Sequence, residues 1–137
     1  GMNDIGSTYI EVDLSAQHLY YYQDGSIILE SDIVSGDMQY AERQTPPGIF
    51  QLYYKKSPSV LKGKMLENGK YEYERPVTYW MPFNGGIGFH DALWQPYFGG
   101  NRFREGGGSH GCINLPADKA AELYNRIDES VPIVCFY

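Results

Sequence analysis

Cys112 and His110 stand two positions apart in Ser109-His110-Gly111-Cys112, directly behind the glycine run Gly106-Gly107-Gly108. A cysteine is the strongest nucleophile a protein carries near neutral pH, but only as thiolate, so it needs a base or a cationic neighbour. Two histidines can serve as that base. His110 would share a face with Cys112 on an extended strand, whereas His90 is remote in sequence and must be brought in by the fold, as in many Cys–His pairs. The turn from Ser109 to Cys112, with Gly111 free of Cβ, can present consecutive N–H groups to a tetrahedral oxyanion. Nucleophile, base and oxyanion donors together point to acyl transfer. Two other readings compete. A lone cysteine in a β-rich chain is commonly buried packing, and His90, His110 and Cys112 would supply three zinc ligands, although the usual paired ligand spacings are missing. His18 lies in an aromatic strand and reads as structural.

These residues must be positioned by strands. Tyr9 to Leu14 alternates apolar and polar, and His18 to Tyr22 runs into the turn signal Asp24-Gly25, so a hairpin is predicted, continued by Ser26 to Val34. Gly36 to Arg43 is loop-like, Thr45-Pro46-Pro47-Gly48 is a tight turn, and Ile49 to Lys55 alternates again. The basic stretch Lys55 to Lys70 reads as a solvated hairpin rather than a ligand site. It leads into Tyr71 to Glu74 and Val77 to Phe83, two further strand-like runs. Gly85 to His90 reads as a short strand, Asp91 to Trp94 as a helical turn and Gly99 to Gly108 as a loop. Pro116 to Ile127 is the one substantial helix, with Pro116 in its first turn and Ala120, Leu123, Tyr124 and Ile127 on one apolar face. Val131 to Tyr137 closes the chain as a strand. Seven or eight strands with one helix predict a mostly β sandwich or barrel-like fold, in one domain over residues 1–137.

Composition removes several functions. A net charge of −6 without a long basic block argues against nucleic acid as partner. There is no apolar run of membrane-spanning length and no basic-then-apolar leader. Two cysteines in such different contexts predict two free thiols, with Cys135 buried as a small hydrophobe. Gly1 before Met2 reads as a tag-cleavage scar, on an excised domain or on a small protein with one added residue.

The run from Gly86 to Pro116, GIGFHDALWQPYFGGNRFREGGGSHGCINLP, resembles the catalytic core of the L,D-transpeptidases, cysteine enzymes with a YkuD-type domain. The family pattern is a histidine, a spacer of somewhat under twenty residues, Ser/Thr-His-Gly-Cys, an apolar residue, then Asn or Arg. Here His90 is followed by eighteen residues, Asp91 to Gly108, and then Ser109-His110-Gly111-Cys112-Ile113-Asn114. YIEVDLSAQHLYYYQDG is similar to the family's opening hairpin, and VSGDMQYAERQTPPGIFQLYYK to its Gly…Thr-Pro-x-Gly-x-Phe segment, so the resemblance covers nearly the whole chain.

The resemblance implies that Cys112 is the nucleophile and that His90, rather than the nearer His110, is its base. Asp91 would orient the imidazole through its backbone carbonyl. His110, Gly111 and Cys112 would give oxyanion N–H groups, and Ser109 and Asn114 would shape the substrate pocket; many members carry Arg where Asn114 stands. The implied reaction joins third residues of peptidoglycan stem peptides through a cysteine acyl-enzyme, with release of terminal D-alanine and without metal or cofactor. Water as acceptor would make the chain an L,D-carboxypeptidase, and loss of chemistry would leave a muropeptide-binding module. Carbapenems are the implied inhibitors. The implied place of action is extracytoplasmic, at the cell wall or the outer face of the cytoplasmic membrane, with any anchor or export segment outside this chain.

Overall fold

The computed structural model describes residues 6–137; Gly1, read above as a scar, lies outside the described residues. Ten strands and one α-helix follow in the order β1 (Tyr9–Asp13), β2 (His18–Gln23), β3 (Ser26–Asp32), β4 (Gly48–Phe50), β5 (Ser59–Lys62), β6 (Glu74–Val77), β7 (Trp80–Asn84), β8 (Ile87–Asp91), β9 (Ile113–Leu115), α1 (Ala117–Arg126) and β10 (Ile133–Phe136). The expected mostly β character is therefore the observed one, with more strands than predicted.

The first sheet has the order β3-β2-β1-β10-β4. Its strands are half-buried: Ile10 and Val12 of β1, and Leu19 and Tyr21 of β2, point inward, while their neighbours face out. This is the period-two alternation of a sheet with one wet face. The β2–β3 turn works because Asp24 (φ 50°) and Gly25 (φ 82°) both take positive φ, as a tight two-residue hairpin demands. The second sheet, β7-β8-β9, pairs β8 antiparallel to β7 and parallel to β9. Its strands contribute Met81, Phe83, Phe89, Ile113 and Leu115 to the same core, which Ala120 and Leu123 of α1 and the Ile127 that follows it complete.

Several boundaries move. The strand expected over Ile49 to Lys55 is regular only at Gly48–Phe50, where it pairs with β10. Beyond it the chain runs irregularly beside β7, with Tyr53 N–H donating to Pro82 O and Lys56 exchanging hydrogen bonds with Trp80. The runs Tyr71 to Glu74 and Val77 to Phe83 are recut as β6 and β7, because the chain turns a corner at Thr78-Tyr79, whose amides are held by the Asp91 carboxylate. Asp91 is the last residue of β8 rather than the start of a helical turn, and Pro116 caps α1 from just outside it. Ile113–Leu115, for which the sequence predicts no element, is a strand buried along its whole length.

Candidate active site

β8 and β9 lie side by side with His90 opposite Asn114, and Cys112 is the residue that leads into β9. Both pairing partners are thus fixed by backbone register rather than by a flexible loop. Cys112, His90 and Asn114 line one cavity of about 240 Å³, walled by Leu61, Tyr73 and Arg75 from the β5–β6 region. The hairpin read as merely solvated therefore forms one side of the site.

His90 is buried. Its Nδ1 lies 2.7 Å from the carbonyl oxygen of Asp91. A carbonyl can only accept, so Nδ1 carries the proton and Nε2 is left with the lone pair. Trp80 and Trp94 flank the ring, with centroids 6.0 and 5.7 Å away. Burial holds the imidazole below its usual pKa; the Asp91 carbonyl and carboxylate oppose this, and Arg75 adds to it. The side chain of Asp91 is spent elsewhere: its carboxylate accepts from the amides of Thr78 and Tyr79 at 2.8–3.0 Å.

Cys112 is half-buried, and its Sγ donates weakly to Gly86 O at 3.5 Å. Dense packing pushes the thiol up to about 11, against a smaller opposing pull from the Gly88 backbone. Both shifts favour the uncharged form, a thiol and an imidazole lining one cavity. A thiol in that state becomes a good nucleophile only if a base takes its proton.

The loop before Cys112 is shaped by Gly111, whose φ of 129° lies where side chains are rarely found. His110 and Cys112, on either side of this bend, both line the cavity. His110 is exposed and packs edge-on against Tyr73, ring centroids 5.0 Å apart. Partial desolvation of the ring, followed by the Arg43 charge, lowers its pKa. Ser109 Oγ donates to Cys112 O at 2.6 Å and accepts from Gly111 N–H at 3.1 Å. The Gly111 amide, expected among the oxyanion donors, is therefore already engaged. The amides of His110 and Cys112 donate to no partner among the described residues.

Sequence reasoning missed the clamp behind this loop. Thr45 is buried; its Oγ1 donates to Gly111 O at 2.7 Å and accepts from Gly36 N–H at 2.9 Å. Gly36 itself has no room for a Cβ, which would stand 1.8 Å from Arg43 O. Beside it, Val34 and Asn114 exchange both backbone hydrogen bonds, so β9 is held on its second edge. Asn114 lines the cavity, and its Oδ1 is buried without a hydrogen-bond partner among the described residues.

Among the described residues no three His, Cys, Asp or Glu side chains converge on a metal position, so His90, His110 and Cys112 do not form the ligand set considered above. Cys112 and Cys135 are free thiols, the latter buried in β10. No described helix is long and apolar enough to cross a membrane.

Comparison with known proteins bears on this geometry. No curated protein sequence matches the chain. Among solved structures, a cysteine-to-serine mutant of Enterococcus faecium L,D-transpeptidase is 44% identical, with a TM-score of 0.85 over 96% of this chain and 50% of that one. The chain thus spans half the length of that protein. The isolated catalytic domain from E. faecium is 45% identical, with a TM-score of 0.78 over 94% of this chain and 96% of that one. The same domain acylated by ertapenem is 44% identical, with a TM-score of 0.78 over 96% and 98%. Residues 7–135, from the opening strands through Cys112 to β10, match the YkuD family, described as the L,D-transpeptidase catalytic domain, and the chain belongs to that family.

Proposed function

We propose that this chain is a peptidoglycan L,D-transpeptidase acting outside the cytoplasmic membrane, with Cys112 as nucleophile and His90 as general base. The observation that carries the reading is the fixed tautomer of His90: its Nδ1 proton is committed to the Asp91 carbonyl, so Nε2 is the basic nitrogen in the cavity that Cys112 shares. Cys112 Sγ attacks the carbonyl of the third residue of a tetrapeptide stem while its proton passes to His90 Nε2. The amides of His110 and Cys112 stabilise the oxyanion, and Ser109 braces the loop that presents them. As the carbon–nitrogen bond breaks, His90 returns the proton to the departing D-alanine amine, leaving a thioester. The amine of a second stem attacks the thioester, gives up its proton to His90 and releases the thiol, so the cycle balances without metal or cofactor. Asn114 Oδ1 offers an acceptor to a substrate N–H, since a buried acceptor left unmade costs about 1–3 kcal/mol.

Acylation of the E. faecium domain by ertapenem supports carbapenems as mimics of the donor stem here. Intact-protein mass spectrometry after incubation with ertapenem tests the assignment. One adduct on the parent and none on Cys112→Ala is expected; an unmodified, folded and reduced parent contradicts it. With a disaccharide-tetrapeptide, cross-linked dimer is the expected product, and tripeptide alone would reassign the chain as an L,D-carboxypeptidase.

A further inference from the structure

A second charged feature of the cavity has no role in the steps above. Arg102 lines the same cavity as Cys112. Its Nε donates to Gln95 Oε1 at 2.9 Å, and Gln95 in turn donates from Nε2 to Gly107 O at 3.0 Å. The guanidinium also lies 5.6 Å from the centre of the Tyr97 ring. Gly107 makes this placement possible, because a Cβ there would meet Arg102 Nε at 2.3 Å and Cζ at 2.4 Å. The glycine run ahead of the nucleophile is thus a seat for a guanidinium. The partner that fixes Arg102 is a neutral amide, so its charge is left uncompensated. Among the described residues no carboxylate pairs with it: the ion pairs there join His18 to Glu30 and Asp32, and Arg126 to Glu122. This occurs in a chain with seventeen acidic and eleven basic residues. The two Nη nitrogens donate to nothing among the described residues, which leaves the bidentate edge of the fork available.

We infer that Arg102 is a specificity residue that binds the free C-terminal carboxylate of the donor peptide. The inference rests on the reaction proposed above, in which the leaving residue carries the chain terminus one residue beyond the attacked carbonyl. An immobilised guanidinium seated on Gly107, in the loop that leads to Cys112, selects peptides that end at that residue over peptides that continue. Arg75 differs: it is exposed and rests over the Trp94 ring, with Cζ 4.5 Å from its centre and no polar side-chain partner among the described residues to fix it.

The test compares L-Ala-γ-D-Glu-L-Lys-D-Ala as free acid with its C-terminal carboxamide, titrated by calorimetry into Cys112→Ala protein so that no turnover intervenes. The acid is expected to bind about tenfold more tightly than the amide. Adding Arg102→Gln should bring the ratio close to one, and Arg102→Lys, which keeps charge but loses the fork, should leave an intermediate ratio. Equal binding of acid and amide to the Cys112→Ala protein overturns the inference. So does undetectable binding of the acid, or an unchanged ratio in a folded Arg102→Gln variant; if that variant fails to fold, the Lys variant and the ratio in the Cys112→Ala protein decide. D-Alanine release by wild-type protein is read separately. A retained acid preference with no release would overturn the proposed reaction and leave the carboxylate site standing.

Discussion

His18 and His90 both sit on strands, and each has hydrogen-bonding partners for its ring, yet the two regions treat them in opposite ways. His18 lies on the outer face of the five-stranded sheet, where its two nitrogens meet the carboxylates of Asp32 and Glu30 at 2.9 and 3.0 Å near solvent. His90 lies in the three-stranded sheet, where strands are buried on both faces and its ring donates to a backbone carbonyl. Water and competing charges dilute what an exposed pair contributes. In the buried region a single hydrogen bond sets the tautomer, and burial decides which protonation state survives. Reactivity here comes from placing polar groups where the fold, rather than solvent, determines their state.

Substitutions should follow this contrast. His90→Ala should slow acylation of Cys112 by about 10²–10⁴-fold, the usual worth of a general base, measured by stopped-flow with a carbapenem; a near-wild-type rate would remove His90 from the mechanism. Thr45→Val keeps the shape but deletes the bridge between Gly36 N–H and Gly111 O. It should cost about 1–3 kcal/mol in denaturant unfolding, with slower acylation because the nucleophile loop loses its clamp. His18→Ala should change stability by no more than about 0.5 kcal/mol and leave acylation unaltered. A large loss from His18→Ala would mean that the two regions are not as distinct as their burial indicates.

The same contrast explains what could be read from the sequence. β1, β2 and β3 announce themselves by alternation and by Asp24-Gly25, because one face is wet and the other dry. α1 shows its apolar face at helical spacing for the same reason. β9 has no wet face, so Ile113-Asn114-Leu115 carries no period to mark it as a strand. Cys112, His110 and the glycines stood out by residue type, but their roles depend on geometry: Gly111 takes a positive φ between His110 and Cys112, and the Ser109 hydroxyl takes the Gly111 amide. Thr45 looked like turn chemistry because its partners, Gly36 and Gly111, are 9 and 66 residues away. Leu61 sits in the stretch whose charge suggested a solvated hairpin, Tyr73 and Arg75 lie just beyond it, and no local signal shows that they wall the cavity.

The pH dependence of Cys112 acylation tests the central claim most directly. A thiol pushed up to about 11 beside an imidazole held below its usual pKa predicts a neutral pair. Below the imidazole pKa the base is protonated and the rate falls. Above it the rate should be flat from about pH 7 to pH 9, since proton transfer to His90 replaces prior ionisation of the thiol. In His90→Ala the plateau should become a rise of about tenfold per pH unit, as free thiolate takes over. A wild-type rate that climbs in the same way, or a plateau that survives in His90→Ala, would contradict the assignment of His90 as the base for Cys112.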